Sequence, residues 1–489
     1  MKKTLLAIGV AAALGAVSGA ASAAVGVQQS GIGHINVIPY YSVQGGNATL
    51  ISITNTDVVN GKAVKVRFRG AEFSDDVFDF QLFLSPGDVW TGTVSANTAG
   101  TLASLKTTDK SCTLPATVNQ DFVNIRLSDD KKNTGTLEGY VEIIELGDIP
   151  YTYDSNTNTW TGGNALATAV KHVNGVAPCT TSVLVGANAL IPNDLKAQLT
   201  APTGGLTTWS AIINVPTSKS FASVATALSP IEPVLGLVVN PVGPVYWRQA
   251  NIPLADLVVT AQTADGVFKP STGGVQAYEF DLPDLSTPYD PAAATPAVQR
   301  NNVTAALQKS AVFVEYVTND AILAETDIVF SQPTRRYYYT FSNVSASVAN
   351  VTGATGTYAE LVASSNSIPV QAPLFFDREE QTVVSGSSIV ISPTPPSEIL
   401  KYSLKGEVSI LGLNHGATPT GALGGKLTAQ NYDVPGGYAD GWAVLSTTTT
   451  LGVQLPVIGY SAINIYNSSV GTAGTNYGLT LPLRYRSAL

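Results

Sequence analysis

The sequence predicts a mostly β protein: two or three antiparallel β-sandwich-like domains with long loops. Three observations predict it. Apolar and polar residues alternate at period two in several short runs, so each run has one inward and one outward face. Turn dipeptides such as Gly45-Gly46 and Asn60-Gly61 separate the runs at the spacing of short strands. Neither a long amphipathic helix nor a fixed-period repeat occurs, which argues against a coiled coil or solenoid.

Residues 1–23 read as a secretory signal peptide. Lys2 and Lys3 precede a small-apolar run from Leu5 to Val17, which ends at the small-x-small pattern Ala21-Ser22-Ala23. Cleavage between Ala23 and Ala24 would start the mature chain at Ala24 and send it out of the cytoplasm, to the cell surface or beyond. The first domain is expected over 24–203. Val37 to Val43 and Thr49 to Asn55 read as strands, and Asn60-Gly61 as a type I′ turn that pairs the second with the alternation Val64, Val66, Phe68. Phe78, Phe80, Leu82 and Leu84 share a face, Ser85-Pro86-Gly87-Asp88 turns the chain, and strands follow at Val89 to Val94 and Tyr140 to Leu146. From Asp148 to Thr203 the pattern weakens into loop, with one short helix around Asn193 to Leu199.

A second β region is expected over 204–300. Trp209 to Val215 would pair with Ser223 to Leu228, and the Pro- and Ala-rich stretch Leu282 to Ala297 would serve as linker. The C-terminal β domain is expected over 301–489. A helical turn or two is read at Thr304 to Lys309, with strands at Val312 to Val317, Ile328 to Phe330, Arg336 to Phe341, Leu404 to Leu411, Trp442 to Leu445 and Ile463 to Tyr466. No segment after residue 23 is long and apolar enough to span a bilayer as a helix.

Composition narrows the function classes. Charged residues make up 12% of the chain, about half the usual share, while hydrophobic residues stand at 44%, which is ordinary. Loss of Lys2 and Lys3 with the signal takes the formal charge from −9 to −11. Such an acidic balance argues against nucleic acid, whose phosphates need clustered Lys and Arg. A polar but weakly charged surface repels copies of itself poorly, which fits lateral assembly or association with surface polymers; many exported β proteins share it without assembling. Cys112 and Cys179 are the only cysteines, and export makes a disulfide between them the default.

Several phrases together resemble a group of exported proteobacterial cell-surface proteins, some of them S-layer-like. They include Asn47-Ala48-Thr49-Leu50-Ile51-Ser52-Ile53-Thr54-Asn55-Thr56, Lys65-Val66-Arg67-Phe68-Arg69-Gly70, Ser74-Asp75-Asp76-Val77 and Leu84-Ser85-Pro86-Gly87-Asp88-Val89-Trp90. Later ones are Pro333-Thr334-Arg335-Arg336-Tyr337-Tyr338, Asp377-Arg378-Glu379-Glu380 and Leu455-Pro456-Val457-Ile458-Gly459-Tyr460. The resemblance implies an exported, β-rich surface protein and carries over no catalytic residue.

Local chemistry is sparse. Asp75, Asp76 and Asp79, with Glu72 nearby, form the densest acidic cluster, of the oxygen-rich kind that holds calcium; the competing reading pairs these acids with Lys65, Arg67 and Arg69. The same three basic residues could instead meet an anionic glycan such as lipopolysaccharide, or simply face water. His34, His172 and His415 stand far apart, and no hydrolase, phosphate-loop or dinucleotide motif occurs. The expectation is a secreted, non-catalytic structural protein that self-associates into a surface coat or S-layer, with calcium as the one candidate cofactor. The alternatives are an outer-membrane β-barrel and a monomeric adhesin or glycan-binding protein.

Overall fold

The computed structural model describes residues 24–124, 127–157, 159–184, 193–232, 235–246, 283–287, 296–341, 351–379, 402–416, 418, 420–434, 438–470 and 474–485. The expected signal segment, most of the expected linker and Glu380 lie outside the described residues. The chain is mostly β, in several antiparallel sheets, and among the described residues none of the sheets closes into a barrel.

Fifteen strands make up the N-terminal part: β1 (Ala24–Gln28), β2 (Ile35–Ser42), β3 (Asn47–Asn55), β4 (Gly61–Gly70), β5 (Asp76–Leu84), β6 (Val89–Ala96), β7 (Ala103–Lys106), β8 (Cys112–Leu114), β9 (Gln120–Asp121), β10 (Glu138–Ile149), β11 (Tyr151–Asp154), β12 (Thr159–Gly163), β13 (Leu206–Asn214), β14 (Lys219–Val224) and β15 (Thr226–Ile231). A seven-stranded sheet runs β1-β15-β2-β10-β4-β5-β8, and a six-stranded sheet runs β14-β13-β3-β6-β7-β9. Their facing sides close on Ile38, Tyr41, Ile51, Ile53, Val64, Val66, Phe68, Phe80, Trp90, Val141 and Ile143, all buried. An aromatic cluster anchors this core: Phe122 stacks on Phe78 at 5.0 Å and meets Phe68 at 4.9 Å. The alternation in β4 thus produces the inward face it predicts.

Two expectations about connectivity are corrected. β3 and β4 do not form a hairpin but lie in opposite sheets. Neither Asn60 nor Gly61 has the positive φ that a type I′ turn needs. Asp57 shapes the connection instead, accepting hydrogen bonds from the Val59 and Asn60 N–H groups at 2.7 and 3.0 Å. The expected boundary at 204 also falls inside the sandwich. β13 fills the place between β3 and β14, and β15 fills that between β1 and β2, so residues 206–231 complete both sheets. Ser223 to Leu228 is likewise two strands, split at Ala225: β14 pairs β13 while β15 crosses to the other sheet.

In the C-terminal part a five-stranded sheet contains Ala324–Ser331, Val408–Leu413, Ala429–Tyr432, Ile458–Asn467 and Thr475–Pro482, and a three-stranded sheet joins Ala311–Val317, Asp440–Ser446 and Leu374–Asp377. The strand read over Leu404 to Leu411 is broken at Gly406, whose φ is +68°, and Arg335–Tyr338 forms a 3-10 turn rather than a strand. The helix at Thr304 to Lys309 is longer than expected and spans Pro296–Leu307.

The C-terminal part does not stand apart as a separate domain. Ile35, Val37, Tyr40 and Ile144 of the seven-stranded sheet share one core with Ile328, Phe330, Val408, Ile410 and Tyr460. The middle strands β2, β4 and β10 are therefore buried on both faces, in a three-layer arrangement. A second seam joins sheet edges, where the Asn476 side chain donates to the Thr217 carbonyl at 2.5 Å and Thr480 donates to the Ala222 carbonyl. Cys112 and Cys179 form a disulfide, which ties the 165–184 excursion to β8.

Candidate functional site

β4 places Lys65, Arg67 and Arg69 on the side of the sheet turned away from the sandwich core, and β5 lies beside it with Asp79 opposite Arg67 and Asp76 opposite Arg69. Lys65 Nζ lies 2.7 Å from Asp79, and Arg67 lies 2.9 Å from Asp76 and 3.4 Å from Asp79. On the other flank β10 supplies Glu142, 2.9 Å from Arg69. Of the sequence-predicted acids, Asp76 and Asp79 are thus brought together with the bases. Among the described residues no group of three or more His, Cys, Asp or Glu side chains could hold a metal ion. In place of the calcium cluster expected from Asp75, Asp76 and Asp79, the latter two form ion pairs, because cross-strand register sets them against Arg69 and Arg67, while Asp75 is buried just before β5 and its carbonyl accepts from the Gly70 N–H.

This face is not solvated either. Lys65, Arg67 and Arg69 are at most 1% exposed. Arg67 donates to the Pro283 carbonyl at 2.7 Å, Arg69 lies 3.8 Å from Asp284, and Arg336 donates to the Ser74 carbonyl at 2.6 Å. Tyr140 donates to Ser74 Oγ at 2.9 Å from the same side. Burial pulls the Lys65 ammonium below its usual range despite Asp79. Burial also opposes the charge on Arg67, but Asp76 and Asp79 outweigh it and hold that guanidinium up. So closed a face has no room for a glycan; it is an ionic seal between the sandwich and the C-terminal part.

Sequence reasoning missed two further buried clusters. Lys62 sits 2.6 Å from Asp148, 3.1 Å from Glu145 and 3.2 Å from Asp57 at one end of the sandwich. Asp327 accepts from the Gly421 and Leu423 N–H groups at 3.2 and 2.7 Å and lies 3.2 Å from His415. Both assemble residues from distant segments, so no local spacing signals them. The three histidines remain apart: His34 contacts Ser229, His172 lies 3.4 Å from Asp88, and His415 is paired with Asp327.

The accessible candidate lies on the far side of the six-stranded sheet. Its outward residues are Ser220, Ala222 and Val224 on β14; Thr207, Trp209, Ala211 and Ile213 on β13; Ala48, Leu50, Ser52 and Thr54 on β3; and Val89, Thr91, Thr93 and Ser95 on β6. Four adjacent strands thus present no charged side chain outward. Val224, Trp209, Ser52 and Thr91 are consecutive cross-strand neighbours, with Val224 73% and Trp209 46% exposed. Beside Trp209 lies a concavity of ≈ 660 Å³ lined by Leu50, Thr91, Thr93, Lys106 and Asn119. Lys106 is its one charge and forms no ion pair among the described residues. Solvent-facing sheet surfaces normally carry charges that discourage association, and this one has none over most of its width.

No family model, no curated protein and no solved structure matches this chain.

Proposed function

We propose that this is an exported structural protein of the cell surface, which assembles with copies of itself into a coat or S-layer-like array and performs no catalysis. The observation that carries the proposal is the uncharged outer face of the six-stranded sheet, with Trp209 and Val224 exposed upon it. A chain with few charges has placed many of them inside: Lys62, Lys65, Arg67, Arg69, Glu142, Asp148, Arg335 and Arg336 are all buried. Charges placed there do not keep copies apart. One further feature supports export. The disulfide suits an oxidising compartment.

Negative-stain imaging of the purified mature protein, with and without calcium, tests the proposal. Sheets or filaments are expected at high protein concentration. Monodisperse monomers under all conditions would refute assembly, and a monomer that binds polysaccharide would establish the adhesin alternative.

A further inference from the structure

A second exposed apolar feature stands on the other sheet. Past β15 the chain makes a tight turn whose large side chains point to solvent: Leu235 is 69% exposed, Leu237 62%, Val238 49% and Val242 83%. Backbone hydrogen bonds tie its described residues together. Glu232 N–H donates to the Leu237 carbonyl at 2.8 Å, Gly236 N–H to the Glu232 carbonyl at 2.7 Å, and Val239 N–H to the Pro230 carbonyl at 3.0 Å. Gly236 at the tip has φ +66°, a left-handed conformation that a side chain would strain. Glu232, its one charged residue, accepts from the Leu235 N–H, which fixes that carboxylate at the base of the turn. Exposing so much apolar surface on a braced protrusion costs solubility and calls for a partner.

We infer that the 235–242 turn of one copy inserts into the Trp209 concavity of the next, in a head-to-tail contact that propagates the assembly. This rests on the assembly reading proposed above. The dimensions agree: ≈ 660 Å³ is ample for two leucine side chains and a valine. The charges agree as well, since the only charge lining the concavity is the cation Lys106 and the charge at the base of the 235–242 turn is the anion Glu232. The turn springs from the seven-stranded sheet and the concavity opens on the outer face of the six-stranded one, and no residue of the turn lines the concavity of its own copy. Two different patches that meet head to tail make a heterologous contact, and such a contact continues indefinitely unless it closes a ring.

The experiment uses full-length mature protein and two kinds of variant. Leu235→Ser with Leu237→Ser disables the turn, and Trp209→Ser disables the concavity. Thr91→Lys is a second concavity variant, a change at an exposed position that leaves the indole in place. Loss of a central anchor should raise the critical concentration for assembly about thirtyfold in each variant. The decisive arm mixes a turn variant with a concavity variant. Each alone should remain monomeric by analytical ultracentrifugation, whereas the mixture should form dimers and stop there, because only one of the two possible contacts survives. If wild type assembles and both variants assemble equally well, the inference fails while the assembly reading stands. If wild type never assembles, the assembly reading fails with it. If wild type floats with phosphatidylethanolamine vesicles and only the turn variant loses that binding, the turn is a lipid anchor and the inference is overturned.

Discussion

Arg67→Met tests whether the ionic layer holds the two parts of the molecule together. In the native protein the guanidinium lies 2.9 Å from Asp76, 3.4 Å from Asp79 and 4.0 Å from Glu142, and it donates to Pro283 O at 2.7 Å, all out of water. Removing one partner of a buried pair costs about 3–5 kcal/mol, because the remaining charge keeps its desolvation penalty. Here the cost falls at the low end for two carboxylates, since Asp79 keeps Lys65 at 2.7 Å and Glu142 keeps Arg69 at 2.9 Å. Asp76 loses its Arg67 contact, and the lost bond to Pro283 adds about 1 kcal/mol. A total near 3–4 kcal/mol is expected for Arg67→Met. Urea unfolding followed by tryptophan fluorescence measures it as a fall in midpoint at constant slope. Adding Asp76→Asn should restore part of the loss, because the carboxylate that faced Arg67 is neutralised along with it. A loss below about 0.5 kcal/mol for Arg67→Met, the size typical of a surface substitution, would refute the reasoning and return this face to solvent.

Three more outcomes follow from the structure. Replacing Cys112 and Cys179 by serine opens a loop of 67 residues and should cost about 4 kcal/mol in urea unfolding, and an equal midpoint in oxidised wild type and the double variant would contradict that. Burial holds Glu407 up at about 8 and Glu138 at about 7, against an ordinary 4.5. Each therefore stays protonated in the fold, and the stability it contributes is full below the unfolded value and is lost as pH rises through the folded one, so stability should decline between pH 5 and pH 8 and Glu407→Gln should flatten that decline. Finally, a Cβ on Gly478 would lie 2.0 Å from the Ser220 carbonyl oxygen, so Gly478→Ala should open the seam between Thr475–Pro482 and β14, detected as faster proteolysis at 215–224 with the disulfide intact.

Period-two alternation revealed β4 and β5 because their core sides are apolar, and the same rule grouped Lys65, Arg67 and Arg69 on one face. What that face meets was not legible. Its covering residues are Pro283, Asp284 and Arg336, and nothing local ties them to β4. Strand partners were lost for the same reason: Asn60-Gly61 has the composition of a hairpin turn, but Asp57 caps the neighbouring amides and sends the chain to the other sheet. The disulfide was legible because two cysteines allow one pairing. The outer face around Trp209 gave little signal, since β13 carries Thr208 and Ser210 inward and Thr207 and Ala211 outward, so polarity barely distinguishes its two sides.

The position of β1 has a kinetic consequence. Its ladder partner is β15, with Ala24 opposite Ile231, and the Pro296–Leu307 helix packs against it. Synthesis makes β1 before either partner, so among the described residues its ladder waits for β15 and its cover for the helix. Closure across such long chain separations is slow, because loop entropy must be lost before the contacts repay it. β1 is thus among the last strands to be fixed, although it precedes both of its partners in the chain.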